Sequence, residues 1–303
     1  MPGGALIMAD YIKARPVVVT GGANGIGAAL AVEAAGRGAS GVAVIDVDGE
    51  AANAVVAQIA ELGVTASAYE CDVADADAVE AVADQIIDTY GLPGLVIANA
   101  GVMAPTSPLL DTPASDIEWV LGVNLRGVIH TLQSFGRRLV ASEGGGWLLA
   151  TGSEHSLGVP HLFGAPYTAS KHGVLGVCDV LRGELPDHVG VSVLCPGLTT
   201  SQLWNATAVR PNQFGGAVDG DPASGAFMEA SGMAAATVAE RALDGVAAGD
   251  FLIATHYNAR LYAERRATEA AEAFVTLGEI DTTDYDVNNL VAEMLAGLEG
   301  SAD

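Results

Sequence analysis

The chain has 303 residues, half of them hydrophobic and only 5% aromatic, with 13 basic residues against 37 acidic ones. A formal net charge of -24 and a pI near 4.3 exclude a phosphate-backbone partner and disfavour an anionic membrane surface. No apolar run reaches the roughly 18–20 residues that span a bilayer, so neither nucleic acid nor membrane is expected as a partner. Two explanations of the charge stay open: adaptation to high salt, and drift in a lysine-poor proteome.

Short apolar strands alternate with helices from residue 16 to residue 197. The predicted strands are 16–20, 41–46, 64–70, 95–98, 146–151 and 189–194, and the predicted helices are 28–37, 49–62, 75–90, 115–141 and 166–184. This rhythm predicts an α/β fold, with right-handed βαβ units in a doubly wound parallel sheet and helices on both faces. Ser115 is a good N-cap candidate for the long fourth helix.

The alternation breaks in the stretch 198–233, which is rich in Gly, Pro, Ala and Asn. A connection of that length is typical of a lid or a disordered segment. We expect it to cover the substrate with the apolar side chains of Leu203, Trp204, Phe214, Phe227 and Met228. A helix over 234–247 and a strand over 251–254 then complete a domain predicted to span 15–255.

The two ends of the chain lie outside this domain. Residues 1–14 lack a basic start followed by an apolar core, which disfavours a secretory signal. We expect a disordered lead, or a start codon placed upstream of Met8. Residues 256–303 are predicted to form a helical extension, with amphipathic helices over 257–274 and 287–298.

The cysteines bear on the compartment. Cys71, Cys178 and Cys195 form no Cys-x-x-Cys pair and no cluster with histidine, so neither a disulfide framework nor a metal site is expected. Reduced thiols in a cytoplasmic protein fit this pattern best.

Three glycines, Gly21, Gly25 and Gly27, connect the first strand to the first helix. Glycines at this place let the backbone approach a pyrophosphate, and the helix N-terminus offers free N–H groups to the phosphates. The spacing differs from the usual Gly-x-Gly-x-x-Gly, but the strand–loop–helix context is the one that a dinucleotide site needs.

Two aspartates follow strands. Asp46 ends the second strand, where a carboxylate hydrogen-bonds the adenosine ribose and repels a 2′-phosphate. Neither its neighbours nor the glycine loop supplies the positive charge that NADP requires, so we predict NAD. Asp48 is the better candidate for capping the next helix. Asp72 could accept a hydrogen bond from the adenine amino group or close a turn, and both interpretations stay open.

The chain contains only two lysines, Lys13 and Lys171, and Lys171 lies four residues after Tyr167 in a predicted helix. Residues at i and i+4 share a helical face, so an ammonium is placed beside a phenol. A fixed positive charge there would lower the tyrosine pKa, although a surface Tyr/Lys pair is the plainer interpretation. Ser153 ends the fifth predicted strand, at the sheet edge where ligands bind.

Several neighbours compete for roles in the same place. Ser156 is a rival of Ser153, which we prefer because it directly follows the apolar strand. Glu154 and His155 could face a substrate. His256 could be a cleft residue or a core histidine with its hydrogen bonds satisfied.

In combination and order, these motifs resemble the classical short-chain dehydrogenases/reductases over residues 15–255. The resemblance implies a single Rossmann-like domain with a seven-stranded parallel sheet, assembled as a homotetramer or homodimer. It implies a cofactor site made of Gly21, Asn24, Gly25, Ile26, Gly27, Asp46, Asp72, Val73, Asn99, Ala100, Gly101, Tyr167, Lys171, Pro196, Gly197, Thr199 and Thr200.

The resemblance also implies catalytic roles. Tyr167 would be the general acid/base, Ser153 would position the reacting oxygen, and Lys171 would bind the nicotinamide ribose and lower the tyrosine pKa. Asn124 would hold a water of the proton relay through a local helix distortion. Thr199 or Thr200 would contact the nicotinamide carboxamide.

We therefore expect an NAD-dependent enzyme that interconverts a secondary alcohol and a ketone, without a metal. Residues 253–266 are similar to some bacterial members that act on bulky aromatic alcohols, including benzylic alcohols of lignin-derived aryl ethers. The alternatives are a dihydrodiol or hydroxysteroid-type dehydrogenase and, outside enzymes, an NAD(H)-sensing interaction protein on the same fold.

Overall fold

The computed structural model describes residues 11–275; residues 1–10 of the lead predicted over 1–14, and the helix predicted over 287–298, lie outside the described residues. Of the remaining lead residues, Ile12 is buried and Lys13 forms a β-bridge with Ala39. Seven parallel strands form one sheet in the order β3-β2-β1-β4-β5-β6-β7. The strands are β1 Pro16–Thr20, β2 Gly41–Asp46, β3 Ala66–Glu70, β4 Leu95–Ala98, β5 Gly146–Thr151, β6 Val189–Cys195 and β7 Leu252–Ala254. The predicted seven-stranded parallel sheet is confirmed.

The described helices cover both faces of the sheet. They are α1 Gly25–Gly36, α2 Gly49–Glu61, α3 Ala76–Tyr90, α4 Ala114–Leu121, α5 Val128–Val140, α6 Ala165–Glu184, α7 Pro222–Ser231, α8 Ala235–Ala248 and α9 Ala259–Val275. None of the helices within 11–275 is long and apolar enough to cross a membrane.

The strands are buried on both faces, and their alternating side chains divide the interior into two cores. Val17 and Val19 of β1 pack in the core that α1, α2 and α8 cover, while Val18 packs with α3, α5 and α6 on the other face. All three valines have no exposed surface. Successive side chains of a strand point to opposite faces, which is why a continuous β-branched run suits this sheet.

The order in which successive strands are added to the sheet reverses between β1 and β4. Strand order runs from β1 through β2 to β3 on one side and from β4 to β7 on the other. The loops that follow β1 and β4 therefore leave the sheet on opposite faces, and a crevice opens between them at the carboxyl ends of the strands.

The structure corrects the single long helix predicted over 115–141. Helix α4 ends at Leu121, a π-helical turn spans Gly122–Gly127, and α5 follows. The N-cap residue is Pro113, so the prediction of Ser115 is wrong. A π-helical turn contains one residue more than an α-helical turn. A tertiary contact explains it here, because the side chain of Asn124 within the turn is hydrogen-bonded to the backbone of Val102.

The stretch 198–233 is more ordered than a plain loop. It contains 3-10 turns over Leu203–Val209 and Asn212–Phe214, followed by α7. The carboxylate of Asp221 caps α7 by accepting the N–H of Ala223 at 3.0 Å. The disordered alternative is therefore wrong for this segment, which is called the lid segment below.

By its internal contacts the chain divides into two compact units, Met1–Tyr262 and Ala263–Asp303. The first unit contains the whole sheet. The predicted helix over 257–274 corresponds to α9.

Candidate active site

One cavity of about 730 Å³ opens at the carboxyl ends of the central strands. Most of the predicted site residues line it: Gly21, Asn24, Gly25, Ile26, Asp46, Asp72, Val73, Asn99, Ala100, Gly101, Ser153, Tyr167, Lys171, Pro196, Gly197 and Thr199. The cavity lining does not include Gly27, Asn124 or Thr200. Of the two threonines proposed for the carboxamide, the geometry therefore favours Thr199.

The glycine loop lies against the end of β4 with no room for side chains. Gly21 has a φ of +62°, and a Cβ on it would stand 2.5 Å from the Cα of Ala100. A Cβ on Gly27 would stand 2.0 Å from the carbonyl oxygen of Gly21. Both positions need glycine, because the backbone itself occupies the space of a side chain.

Asn99 braces this close approach. Its Nδ2 donates to the carbonyl oxygens of Thr20 at 3.2 Å and Gly21 at 3.1 Å, and its Oδ1 accepts the hydroxyl of Thr151 at 3.1 Å. The side chain thus ties together the ends of β1, β4 and β5. Asn99 therefore has a structural role in addition to lining the cavity.

The aspartates separate into different roles. The carboxylate of Asp46 accepts the N–H groups of Ala23 at 3.0 Å and Asp48 at 3.1 Å, which fixes it beside the glycine loop. Burial raises the pKa of Asp46, and these backbone hydrogen bonds oppose that effect. Asp48 caps α2 by accepting from Ala51 at 2.9 Å, as predicted.

Asp72 closes a turn, which is one of the two interpretations that the sequence left open, and its contact with an adenine stays a prediction. Its carboxylate accepts the N–H of Ala74 at 2.9 Å and so closes a turn. It also lines the cavity beside Val73.

Ser153, Tyr167 and Lys171 meet at one wall of the cavity. The side chain of Ser153 faces the Tyr167 phenol and lowers its pKa. Lys171 Nζ lies 5.7 Å from the centre of the Tyr167 ring and donates to the carbonyl oxygen of Thr151 at 2.7 Å. Lys171 has only 3% of its surface exposed. The two ammonium N–H groups that Thr151 does not use therefore lie inside the site and not in bulk solvent.

The pKa of Tyr167 moves opposite to the expectation from the sequence. Burial raises it to about 12, the Ser153 side chain lowers it less, and the Glu154 carboxylate adds a small rise. Burial also lowers the pKa of Lys171 to about 8. Removal from water disfavours the charged form of each group, so the protein's own side chains keep the phenol protonated at neutral pH.

Ser156, the rival serine, is engaged elsewhere. Its hydroxyl donates to the carbonyl oxygen of Lys171 at 2.7 Å and accepts the N–H of Ser153 at 3.2 Å. It holds the turn after β5 onto α6 and does not line the cavity. The geometry therefore favours Ser153 as the serine that faces a reacting oxygen.

Asn124 uses its side chain to hold the π-helical turn. Its Oδ1 accepts the N–H of Val102 at 2.7 Å, and its Nδ2 donates to the carbonyl of Val102 at 2.9 Å and to Ser170 Oγ at 3.2 Å. Both amide N–H groups are thereby used. A relay water could therefore not accept a hydrogen bond from this side chain, and the relay role of Asn124 stays a prediction.

Two stacked histidines extend the wall beside the tyrosine. The rings of His155 and His161 are 4.8 Å apart and nearly parallel, and each meets the Tyr167 ring edge-on at about 6 Å. His155 Nδ1 lies 3.0 Å from the carbonyl of Val159, so this nitrogen carries the hydrogen. Burial lowers the pKa of both histidines, which makes them neutral polar surfaces.

The sequence analysis indicated His155 but not His161. No local sequence pattern predicts that two histidines six residues apart stack on each other after a turn. Within residues 11–275, no three His, Cys, Asp or Glu side chains are grouped so that they could hold a metal ion.

Comparison with known proteins identifies the family. Residues 15–211 match the family described as short chain dehydrogenase. The chain belongs to the short-chain dehydrogenase family. Among curated relatives, 1-deoxy-11-beta-hydroxypentalenate dehydrogenase of Streptomyces exfoliatus is 35% identical over 73% of this chain and 81% of its own length. The probable oxidoreductase EphD of Mycobacterium tuberculosis is 36% identical over 67% of this chain, but the match covers only 35% of that protein.

Solved structures agree with this membership. A short-chain dehydrogenase from Burkholderia phymatum in complex with NAD superposes with a TM-score of 0.81 and 26% identity, over 88% of this chain and 97% of that one. Other similar structures are complexes with NADP. Some of the similar structures thus contain NAD and others NADP.

In this short-chain dehydrogenase the lid segment contributes less apolar surface to the cavity than the sequence suggested. Leu203 and Met228 line it, but Phe227 is 60% exposed, and Phe214 packs against the cluster of Val102, Trp119 and Val120 without lining the cavity itself. The ring of Trp204 packs against the lid's own glycines. The predicted lid is thus partly a small core of its own.

A buried ion pair attaches the lid segment to the body of the domain. Arg210 pairs with Asp116 of α4, whose side chain is 6% exposed, and the guanidinium lies 5.4 Å from the centre of the Trp119 ring. Breaking such a pair leaves an uncompensated buried charge, which is strongly destabilising. No sequence signal connects two residues 94 positions apart.

This attachment predicts a local effect of one substitution. Arg210→Ala should leave Asp116 buried and unpaired and loosen the lid segment, so that thermolysin cleaves within 203–214 roughly tenfold faster. Arg182→Ala, which removes an exposed pair with Asp179, is the matched control and should leave the cleavage rate unchanged. Equal cleavage of the two variants would contradict the attachment.

Proposed function

We propose that this protein is an NAD-dependent oxidoreductase that interconverts a secondary alcohol and a ketone, with a bulky or aromatic substrate. The observation that carries the proposal is that Ser153, Tyr167 and Lys171 line one cavity, with Lys171 one helical turn beyond Tyr167 and the serine side chain lowering the pKa of the phenol. A hydroxyl pair of this kind can bind one substrate oxygen and exchange a proton with it.

The residues fit a dinucleotide. The close approach of Gly21 to Ala100 leaves backbone alone at the start of α1, where free N–H groups favour phosphates. A carboxylate has about four acceptor positions, so Asp46 can bind ribose hydroxyls in addition to its two backbone partners. Val47 and Asp48 beside it carry no positive charge for a 2′-phosphate.

Charge supports NAD over NADP. Among the cavity-lining residues of the described chain, Lys171 is the only lysine or arginine, and it is bound to Thr151 beside Tyr167. A 2′-phosphate next to Asp46 would find repulsion without a compensating cation.

The chemistry divides between cofactor and protein. When bound, the nicotinamide would take up or release the hydride. Tyr167 holds the proton that the substrate oxygen gains in reduction or loses in oxidation, Ser153 orients that oxygen, and Lys171 offers its remaining N–H groups to a ribose. Thr199, whose hydroxyl donates to the carbonyl of Gly197 at 2.9 Å, completes the nicotinamide end.

A large apolar wall supports a bulky or aromatic substrate. Its side chains, in addition to the stacked histidines, are those of Met103, Trp119, Val123, Leu203, Val209 and Met228. Planar rings and a flexible methionine accommodate an aromatic group well. The same wall would also take a dihydrodiol or a hydroxysteroid, so a substrate panel must include all three classes.

We also infer a cytoplasmic homotetramer or homodimer whose catalytic domain spans 15–255. The three cysteines are buried and free, and burial raises the pKa of each thiol. Such thiols are unreactive and suit a reducing compartment.

The central test is Tyr167→Phe. Losing the proton carrier should reduce turnover of a secondary alcohol panel by roughly 10²- to 10⁴-fold, while the affinity for NADH stays nearly unchanged. Spectrophotometric NADH formation and NADH fluorescence titration measure the two effects. Retained turnover would refute the assignment, and a wild type that binds NADH tightly but oxidises nothing would favour an NAD(H) sensor.

Asp46→Ala tests the cofactor preference. Removing the carboxylate should lower the ratio of kcat/KM for NAD over NADP by roughly tenfold or more, because the repulsion of the 2′-phosphate is lost. Asp75→Ala, which removes the cap of α3 outside the cavity, is the control and should leave the ratio unchanged. A wild type that prefers NADP would overturn the proposal for NAD.

The raised pKa of Tyr167 predicts how the rates depend on pH. Oxidation needs the phenolate as a base, so its kcat should rise from about pH 6 to about pH 9. Reduction uses the protonated phenol, which dominates throughout this range, so its kcat should not rise. Initial rates in both directions measure this, and an oxidation rate that falls with rising pH would contradict the prediction.

A further inference from the structure

The loop after β6, residues 196–199, forms part of the cavity wall and is held from two sides by backbone hydrogen bonds. The N–H of Glu154 donates to the carbonyl of Pro196 at 2.9 Å. From the end of the lid segment, the N–H of Met233 donates to the carbonyl of Leu198 at 3.0 Å. The shape of this loop is therefore set by its neighbours.

A third contact comes from a side chain that follows β7. The N–H of Gly197 donates to Nδ1 of His256 at 3.0 Å, and Nε2 of His256 lies 3.0 Å from the carbonyl oxygen of Leu198. A carbonyl can only accept, so Nε2 carries the hydrogen and Nδ1 is the acceptor. The hydroxyl of Thr255 lies 2.8 Å from the same Nδ1. Both ring nitrogens are thus used, and the ring must be neutral.

Gly197 is shaped to admit this ring. A Cβ on Gly197 would lie 2.7 Å from Cγ of His256 and 2.6 Å from Oε2 of Glu154. The imidazole and the carboxylate therefore flank the same backbone position, and any larger residue would push them away.

We propose that His256 is a positioning residue for nucleotide binding, which fixes the 196–199 loop in the shape that receives the nicotinamide end. This inference rests on the proposed function. The neutral ring joins one backbone donor and one backbone acceptor of adjacent residues. A protonated ring would turn an N–H toward the N–H of Gly197, and that half of the contact would be lost.

The charges around the ring set the direction of the pH effect. Two charged groups lie near the ring: the Glu154 carboxylate, which flanks Gly197 on the other side and whose Oε2 has no hydrogen-bond partner, and Arg241 of α8, which is bound to the carbonyl of Thr255 and opposes protonation of His256. Burial lowers the pKa of His256, with Arg241 acting in the same direction and the bond to Leu198 against it. The ring is then neutral at pH 7 and protonates on acidification, so nucleotide affinity should fall as the pH falls.

The experiment is a fluorescence titration of the full chain with NADH between about pH 5 and pH 7.5, for the wild type and three variants. His256→Ala removes both contacts and should weaken binding at pH 7.5 about tenfold. His256→Asn keeps an acceptor near the place of Nδ1 but cannot titrate, so it should bind within about threefold of the wild type and lose much of the pH dependence. His188→Gln changes an exposed histidine that does not line the cavity and should behave as the wild type.

Each outcome decides between alternatives. If His256→Ala binds NADH as tightly as the wild type, or His256→Asn keeps the full pH dependence, the positioning role is wrong while the proposed function stands. If the wild type binds no NADH, the proposed NAD dependence and the inference both fall. Should His256→Ala unfold, as its melting temperature would reveal, the comparison of His256→Asn with the wild type still decides.

A second readout needs no nucleotide. In ¹⁵N-histidine spectra of the free protein, His256 should give the pattern of the Nε2–H tautomer near neutral pH. The Nδ1–H tautomer, or a charged ring at pH 7.5, would overturn the inference.

Discussion

The site depends on the close approach of two backbones, that of Gly21 after β1 and that of Ala100 after β4. They meet where strand order reverses, so the loops on either side of that point diverge and leave a crevice. The approach is possible because Gly21 has no side chain and because Asn99 occupies the hydrogen-bonding groups that a loop would otherwise leave unpaired. Strands buried on both faces hold these ends in place, since a one-residue slip would exchange the two cores.

Removal from water is the second constraint, and it acts on both members of the Tyr167–Lys171 pair. In each case burial favours the neutral form, which raises the pKa of the phenol and lowers that of the ammonium. Adjacency in a helix was not enough to predict the sign, because the desolvation of a group can exceed the effect of one neighbouring charge. The protein's own groups therefore keep Tyr167 protonated at neutral pH, so that it can donate a proton.

Much of the fold was predictable because its signals are local. The β-branched run of β1, the glycine loop and the acid at the end of β2 each lie within a few residues, and the structure places them as expected. The features that the sequence did not predict depend on tertiary contacts. The π-helical turn follows from contacts of Asn124 with Val102, and the lid attachment joins Arg210 to Asp116 across 94 positions. The helix α7 is an exception, since its Asp-Pro start was a readable signal that the loop-like composition obscured.

The scarcity of lysine has a practical consequence for handling the molecule. Lys171 is buried at the carboxyl ends of the strands, whereas Lys13 is exposed and precedes the amino end of β1. Amine-directed coupling to the described part of the chain therefore falls on Lys13, on the side of the sheet away from the cavity. A dye or linker attached to Lys13 therefore lies at the amino ends of the strands, whereas the cavity opens at their carboxyl ends.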